Sequence, residues 1–311
     1  VQITAATCSA CDHRSIAEVH PSLVGRLSIP VGNPEPELLA QQCDAVLACG
    51  FPESSTQILA GLLAAGCRVV DLSPLYRLST PALYRRWFGE THPDPGRLGV
   101  APYGLPEFFE DSIRHAPLVS NPGCCAASAI LPLAPLLKEG LINPKDIIVD
   151  SKCGISGLGS IPRPSNLFGA CHDNLTAHLV GSHRHQPEIT DVLRRVTGVE
   201  VTLAFTAHLV PVTRGVFSTI YVRPTNSVTA NQIRECLLAF YAKSPFVRVI
   251  GHLPAVQYVR DTNCLDLSIR ENDGWIVLLS ALDTLGKGSA GAAIQNLNCM
   301  FGMQPTAGLL A

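Results

Sequence analysis

The chain has no run of about 20 apolar residues, the length a membrane-spanning helix needs, so no membrane partner is expected. Charge is scarce as well: Asp, Glu, Lys and Arg make up 15% of the 311 residues, and the net charge is -2. Without a basic stripe, a nucleic-acid partner is not expected. Val1 to Thr7 is a short apolar segment with no basic flank, so it does not read as a secretory signal. There are no internal repeats and no low-complexity tracts. G-x-G-x-x-G, the turn that usually offers backbone N–H groups to a dinucleotide pyrophosphate, is missing too.

What is present is a 47% hydrophobic composition, enough for two domains with one sizeable core each. Twelve cysteines are spread through it. Cys49 and Cys67 lie in or beside apolar strands, and Cys236 and Cys299 in helical patterns, which is not the spacing of a disulfide framework. Reduced thiols and a cytoplasmic location are the natural reading. Cys8-Ser9-Ala10-Cys11, near His13, is a lone Cys-x-x-Cys with no second pair, so no metal is expected.

The first part alternates strand and helix. Strands are expected over Val1 to Thr7, Asp44 to Gly50, Cys67 to Leu72 and Ala116 to Ser120, with a helix capped by Ser54 or Ser55 and running to Ala65. This is an α/β pattern, a Rossmann-like parallel sheet with helices on both faces, which binds ligands at the carboxyl ends of its strands. Later strands are longer: Ile147 to Asp150, Val201 to Val210, Val216 to Arg223, Leu265 to Arg270 and Trp275 to Leu282. Helices are expected over Cys125 to Leu137, Gln186 to Arg195, Val228 to Lys243 and Ser289 to Phe301. That part reads as α+β with a mixed or antiparallel sheet. The expected division is 1–122 for the first domain and 123–287 for the second, with 288–311 rejoining the first.

Asn121-Pro122-Gly123-Cys124 lies between a strand and an apolar helix, which puts Cys124 at a helix start. The helix dipole and free N–H groups there favour a thiolate nucleophile and can hold an oxyanion. His183-Arg184-His185, followed by Pro187 in a helical first turn, is either a proton-shuttling pair or an exposed loop pair. His208 in an apolar strand is equally a core histidine or a site residue. Arg77 beyond a strand end can bind a phosphate or carboxylate, and Lys152 and Arg214 are further candidates. Gly154, Gly157 and Gly159 around Ser156 suit close approach to a ligand or a plain turn.

Taken together the motifs resemble the N-acetyl-γ-glutamyl-phosphate reductase family, within the phosphorylating semialdehyde dehydrogenases. They are Glu18-Val19-His20-Pro21; Asp71-Leu72-Ser73 with Arg77; Tyr103 to Glu107; Asn121 to Cys124; Ser156-Gly157; His183 to Ile189; Phe205 to Pro211 with Arg214-Gly215; and Lys287 to Gly291 with Gln295-Asn296. The departures are local. Cys125 stands where the family has an aromatic residue, Ala127 where it has Thr, Ala207 where it has Pro, Ser160 where it has Arg (Arg163 is close), and Pro52 where it has His. The match begins at about the family's second strand, so about 20 to 30 further residues are expected before it, the size of half a βαβ unit.

The resemblance implies NADPH-dependent reduction of an acyl phosphate, N-acetyl-γ-glutamyl phosphate, to the semialdehyde with phosphate release, in arginine biosynthesis. It implies Cys124 as the nucleophile and a histidine as the acid/base, His185 being favoured with His183 on substrate or phosphate, or the two with their roles swapped. Substrate contacts would come from Arg77, Asn121, Lys152, Ser156, His208 and Arg214. NADP(H) contacts would come from Ser9, Arg14, Ser73, Gly157, Gly291 and Asn296. A homodimer or homotetramer is typical. A sister reductase acting on an aspartyl or aminoadipyl acyl phosphate, and a non-catalytic subunit that binds no nucleotide, are the alternatives.

Overall fold

The computed structural model describes residues 1–8, 14–50, 52–159 and 164–309. In the first part, β1 (Ala6–Thr7) pairs in parallel with β2 (Val31–Gly32), while β3 (Ala45–Ala48), β4 (Arg68–Asp71) and β5 (Leu118–Ser120) form a separate parallel sheet with β4 central. The single sheet expected is thus two parallel groups. Pro30 and Pro34 flank β2, and proline gives no ladder donor, which keeps that pair short. The helix after β3 begins at Pro52, ahead of the expected Ser54 or Ser55 cap, and ends at Ala64. Two further helices, Pro81–Phe88 and Pro106–His115, carry a proline in their first turns, where its missing N–H does no harm.

The second part holds a seven-stranded mixed sheet built from β6 (Ile142–Cys153), β7 (Thr176–His178), β8 (Leu203–Leu209), β9 (Val216–Pro224), β10 (Val247–Val249), β11 (Leu265–Asn272) and β12 (Trp275–Leu282). Their order is β10-β11-β12-β9-β6-β8-β7. β6 is longer than expected because the polar run Asp150-Ser151-Lys152 stays in the ladder. Ser151 is fully buried there, its hydroxyl 2.7 Å from that of Ser218 on β9.

One face of this sheet carries the apolar helix Cys124–Lys138, buried from Cys125 to Leu137. A helix apolar on all sides belongs in a core. Pro132 and Pro135 interrupt its hydrogen bonding, freeing the carbonyls of Ser128 and Leu131. The Ser280 hydroxyl donates to the first at 2.7 Å and the Tyr241 hydroxyl to the second at 2.5 Å. The helix is therefore tied at two points to the second domain, which fixes where its N-terminus sits. The last helix, Ala290–Met300, packs back on the first sheet, where Ala293, Cys299 and Met300 meet Val70, Ile113 and Val119. The other face of the seven-stranded sheet exposes Ile148 and Tyr221, at 43% and 36% of their full areas.

Candidate active site

The β5 strand ends at Ser120, and the Asn121-Pro122-Gly123 turn leads directly into the Cys124 helix. The polar groups of Asn121 and the Gly123 N–H all have partners. Asn121 N–H donates to the Asp71 carbonyl at 2.8 Å, and the Asn121 carbonyl accepts from Arg77 Nε at 2.9 Å. The Asn121 side chain donates to the Ser289 carbonyl and accepts from Asn296 Nδ2, both at 3.0 Å. Gly123 N–H donates to Glu188 Oε1 at 2.8 Å. Elements from both domains thus hold the turn, and Cys124 is placed at the first helical position.

Glu188 is the hub of this arrangement, and its role was not visible in the sequence. It is buried and accepts from Tyr103 OH at 2.6 Å as well as from Gly123 N–H. Its other oxygen lies 3.6 Å from Arg77 Nη1 and 3.9 Å from His185 Nε2. His185 opens the helix His185–Thr197, and its ring lies directly over Gly123. A Cβ added to Gly123 would sit 2.3 Å from His185 Nε2 and 2.9 Å from Arg77 Nη1. Gly123→Ala is therefore expected to push the imidazole out of register. A misplacement of about 1 Å lowers turnover on the order of 100-fold. Steady-state kinetics beside a thermal melt checks this, since a folded variant with unchanged kcat would show that the contact is not needed.

Three sulfurs meet at the start of the Cys124 helix. Cys125 Sγ is 4.0 Å from Cys124 Sγ and 3.0 Å from Cys153 Sγ, and all three lie within 4.8 Å of one another. Hydrogen bonds from the Cys125 and Cys153 thiols hold the Cys124 thiol well below its ordinary range. Burial opposes this, while His185 and the Cys125 backbone N–H reinforce it. The donors are pushed well up in turn, chiefly through their contact with the Cys124 sulfur. Cys124 is half-buried and its two neighbours are buried, so the thiol with the lowered pKa faces the site with the other two behind it. Cys153 was missed because β6 was expected to stop at Asp150.

His183 precedes the helix and its Nδ1 accepts the His185 backbone N–H at 3.1 Å. Its ring lies 5.1 Å from that of Phe205. Burial, helped by the neighbouring His185 and His178, lowers its pKa to about 3. His183 is neutral at neutral pH.

Asn296 is fully buried. Its Nδ2 donates to the Gly104 carbonyl and to Asn121 Oδ1, which fixes the amide orientation, and its Oδ1 has no hydrogen-bond partner among the described residues. The Ser156 hydroxyl, in the turn Ile155–Leu158 just after Cys153, is likewise buried without a partner. Gly157 approaches Cys153 Cβ at 3.9 Å when given a Cβ. Gly288 lies against the nucleophile: a Cβ there would meet Cys124 Cβ at 2.8 Å.

Several residues expected to contact ligands have partners within the chain. Arg77 gives Nε to Asn121 and Nη2 to the Leu72 carbonyl, with Nη1 facing Glu188, so it braces the turn instead of reaching out for an anion. The Ser73 hydroxyl donates to Asp71 Oδ2 and accepts from Leu75 N–H. Asp71, buried at the end of β4, is raised to about 6 by desolvation despite these donors. Arg214 pairs with Asp283 at 2.6 Å and Asp261 at 2.9 Å, shaping the turn that carries Gly288. Burial works against the Asp283 charge, but Arg214 and three backbone N–H donors outweigh it and hold its pKa down. Gly291 packs on Gly286 and Asn263, where a Cβ would come within 2.4 Å of Asn263 Oδ1. It is a packing glycine, not an open cradle.

Lys152 and His208 lie on the wrong side of the sheet. Neighbouring strand residues face opposite ways, and Cys153 faces the thiol cluster, so Lys152 and its cross-strand partner His208 face the other side. There Asp150 joins them, at 2.8 Å to Lys152 Nζ and 3.0 Å to His208 Nδ1. Arg14 is exposed beside the β1–β2 pair, its carbonyl accepting from Val31 N–H. Ser9 lies outside the described residues, as do Cys11, Ser160 and Arg163.

A thiol at a helix start, at the junction of a parallel-sheet domain and a mixed-sheet domain, is the layout of a semialdehyde dehydrogenase, and the comparisons agree. Residues 1–116 match the family model "Semialdehyde dehydrogenase, NAD binding domain" and residues 124–284 match "Semialdehyde dehydrogenase, dimerisation domain", so the chain belongs to the semialdehyde dehydrogenase family. Its branch of that family is the N-acetyl-gamma-glutamyl-phosphate reductases. One, from Rhodopirellula baltica, is 42% identical over 315 residues, covering 99% of this chain and 90% of that protein. Another, from Magnetococcus marinus, is 41% identical over 305 residues, covering 95% and 86%. The fold is shared with aspartate semialdehyde dehydrogenase from Candida albicans, solved with NADP (TM-score 0.70, 15% identity, 97% of this chain and 92% of that one). It is also shared with aspartate semialdehyde dehydrogenase II from Vibrio cholerae (TM-score 0.69, 16% identity, 88% and 84%).

Proposed function

We propose that the chain reduces N-acetyl-γ-glutamyl phosphate to N-acetylglutamate 5-semialdehyde with NADPH, releasing phosphate, in arginine biosynthesis. The observation that carries this reading is Cys124, a thiol held low in pKa at a helix start, within a chain about 40% identical to reductases named for that substrate. The Cys124 thiolate attacks the acyl carbon, phosphate leaves, and a thioester remains on Cys124. A thioester accepts hydride far more readily than a carboxylate, which is what the covalent step achieves. NADPH, when bound, supplies that hydride. First-turn N–H groups of the Cys124 helix stabilise the oxyanion. His185 manages the proton as Cys124 is expelled from the thiohemiacetal.

The residues present suit the cofactor. The unpartnered Asn296 Oδ1 is an acceptor for a nicotinamide carboxamide, and Gly288 leaves room beside the Cys124 side chain. The Ser156 hydroxyl, without a partner among the described residues, is a polar group for substrate or cofactor, next to Gly157. Residues 1–122 form the cofactor-binding domain, joined by 288–311, and 123–287 form the catalytic and dimerisation domain. The open sheet face with Ile148 and Tyr221 pairs with a second copy, giving a homodimer or a homotetramer built from it. Among the described residues no helix is long and apolar enough to cross a membrane, and all eleven described cysteines are free, in keeping with a reducing cytoplasm.

The test is NADPH oxidation with purified protein and three acyl phosphates in parallel: N-acetyl-γ-glutamyl, aspartyl and aminoadipyl. Turnover is expected with the first, at a kcat/KM at least 100-fold above the others. A preference for the aspartyl compound would assign the sister reaction. No turnover and no NADPH binding would leave a non-catalytic subunit.

A further inference from the structure

We infer that the cluster of Cys124, Cys125 and Cys153 is an oxidative modification site in which peroxide converts Cys124 to a sulfenic acid and Cys153 captures it as a disulfide, a reversible arrest of the thiol. The inference does not depend on which acyl phosphate is reduced. It needs only the Cys124 thiolate and its two neighbours.

The geometry carries it. Three sulfurs lie within 4.8 Å of one another, and the 3.0 Å between Cys125 and Cys153 places two thiols in direct contact. No disulfide is formed among them. Cys124 is the outermost of the three and the others are buried, so peroxide reaches Cys124 first. Susceptibility follows thiolate character and exposure, and Cys124 has both.

The chemistry balances. The Cys124 thiolate attacks one oxygen of hydrogen peroxide, the O–O bond breaks, and the departing hydroxide takes a proton and becomes water. Cys124 is now a sulfenic acid, oxidised by two electrons. The Cys153 sulfur attacks the Cys124 sulfur, the S–O bond breaks, and the hydroxyl leaves as a second water with the Cys153 thiol proton. One S–S bond has formed, and one peroxide has become two waters. A small dithiol then reduces the S–S bond by thiol–disulfide exchange, returning Cys124 and Cys153 to thiols while the dithiol is oxidised to its own disulfide.

Cys153 is the capturing residue, not Cys125. Cys124 and Cys125 are consecutive residues in the first turn of a 15-residue helix. A disulfide between chain neighbours closes a small ring that the helical backbone does not accommodate. Cys153 comes from the end of β6, on a different element, and can approach Cys124 without unwinding the helix. Without capture the sulfenic acid is open to a second peroxide, which yields the irreversible sulfinic acid.

The experiment exposes reduced, full-length protein to one to five equivalents of hydrogen peroxide. It then maps Cys124 by peptide mass spectrometry and measures the recovered rate after dithiothreitol, each variant against its own untreated rate. In the unmodified protein a Cys124–Cys153 disulfide is expected, with more than about 80% of the rate recovered and about two thiols lost per peroxide. In Cys153→Ser the disulfide is absent, Cys124 is found as sulfinic acid, and recovery falls at least 5-fold. Mass spectrometry reads the disulfide even if the chain proves inactive, so failure of the functional reading and failure of this one are separable. Cys125→Ser checks the partner: it should still form the Cys124–Cys153 bond. A sulfinic Cys124 in the unmodified protein at one equivalent, or equal recovery in Cys153→Ser, overturns the inference.

Discussion

Replacing Cys124 with serine lowers turnover on the order of 10⁴-fold or more, because a serine at this position has no partner able to ionise it and forms no thioester. The effect is larger than for either neighbouring cysteine. In turnover Cys125 and Cys153 act by donating to the Cys124 sulfur, and a serine hydroxyl in their place still donates. The thiol's low pKa gives a second readout that needs no substrate. A lowered pKa means the thiolate persists to a lower pH than an ordinary thiol's, and protonation removes it as pH falls. The rate of alkylation by iodoacetamide should therefore reach its plateau below the pH of an ordinary thiol, about 8.5. Cys124 should be labelled before the other cysteines, and Cys153→Ala, which removes one donor, should move the midpoint upward. Labelling that begins elsewhere, or a midpoint at the ordinary value, would count against the thiolate.

How much of this was legible in the chain depends on distance along it. Cys124 was readable because its signal is local: a strand, a Pro-Gly turn and an apolar helix follow one another without a break. The His185 helix was readable for the same reason, from Pro187 in its first turn and Gly198 at its end in the left-handed conformation. Glu188 was not. An acidic residue in a first turn reads as a complement to the helix dipole, and only the fold shows that it reaches Tyr103 and Gly123, 85 and 65 residues away in sequence. Buried Lys287 hides its role in the same way, since its partner Glu107 lies 180 residues earlier.

The charged candidates have contacts that the sequence did not show. Arg77, Arg214 and Lys152 were read as anion binders because a cation beside a strand end suits a phosphate. In the folded chain each has its own acidic or carbonyl partner; those of Arg77 and Arg214 hold turns in place, while Lys152 pairs with Asp150 along β6. Strand parity alone could have removed Lys152, because it must point away from Cys153.

His185→Asn is expected to lower kcat by 10²- to 10⁴-fold, the range for loss of a general acid or base, with a smaller change in KM. The choice of His185 over His183 follows from burial and hydrogen bonding. With a pKa of about 3, His183 carries a second proton only in strong acid, so it has none to deliver at neutral pH. Its Nδ1 is already an acceptor for the His185 backbone, which leaves the remaining proton on Nε2 and makes the ring a brace for the start of the helix. An asparagine at 183 can keep that acceptor, so His183→Asn should cost far less in kcat than His185→Asn. His183→Ala removes the acceptor and should lower stability by about 1 kcal/mol, the usual value of a helix-start cap. The pH profile separates the roles. Loss of the acid/base removes one limb of the kcat profile, whereas loss of a brace lowers the whole curve without changing its shape. If His185→Asn keeps the full profile and only raises KM, the histidine binds substrate and the proton must pass through another group.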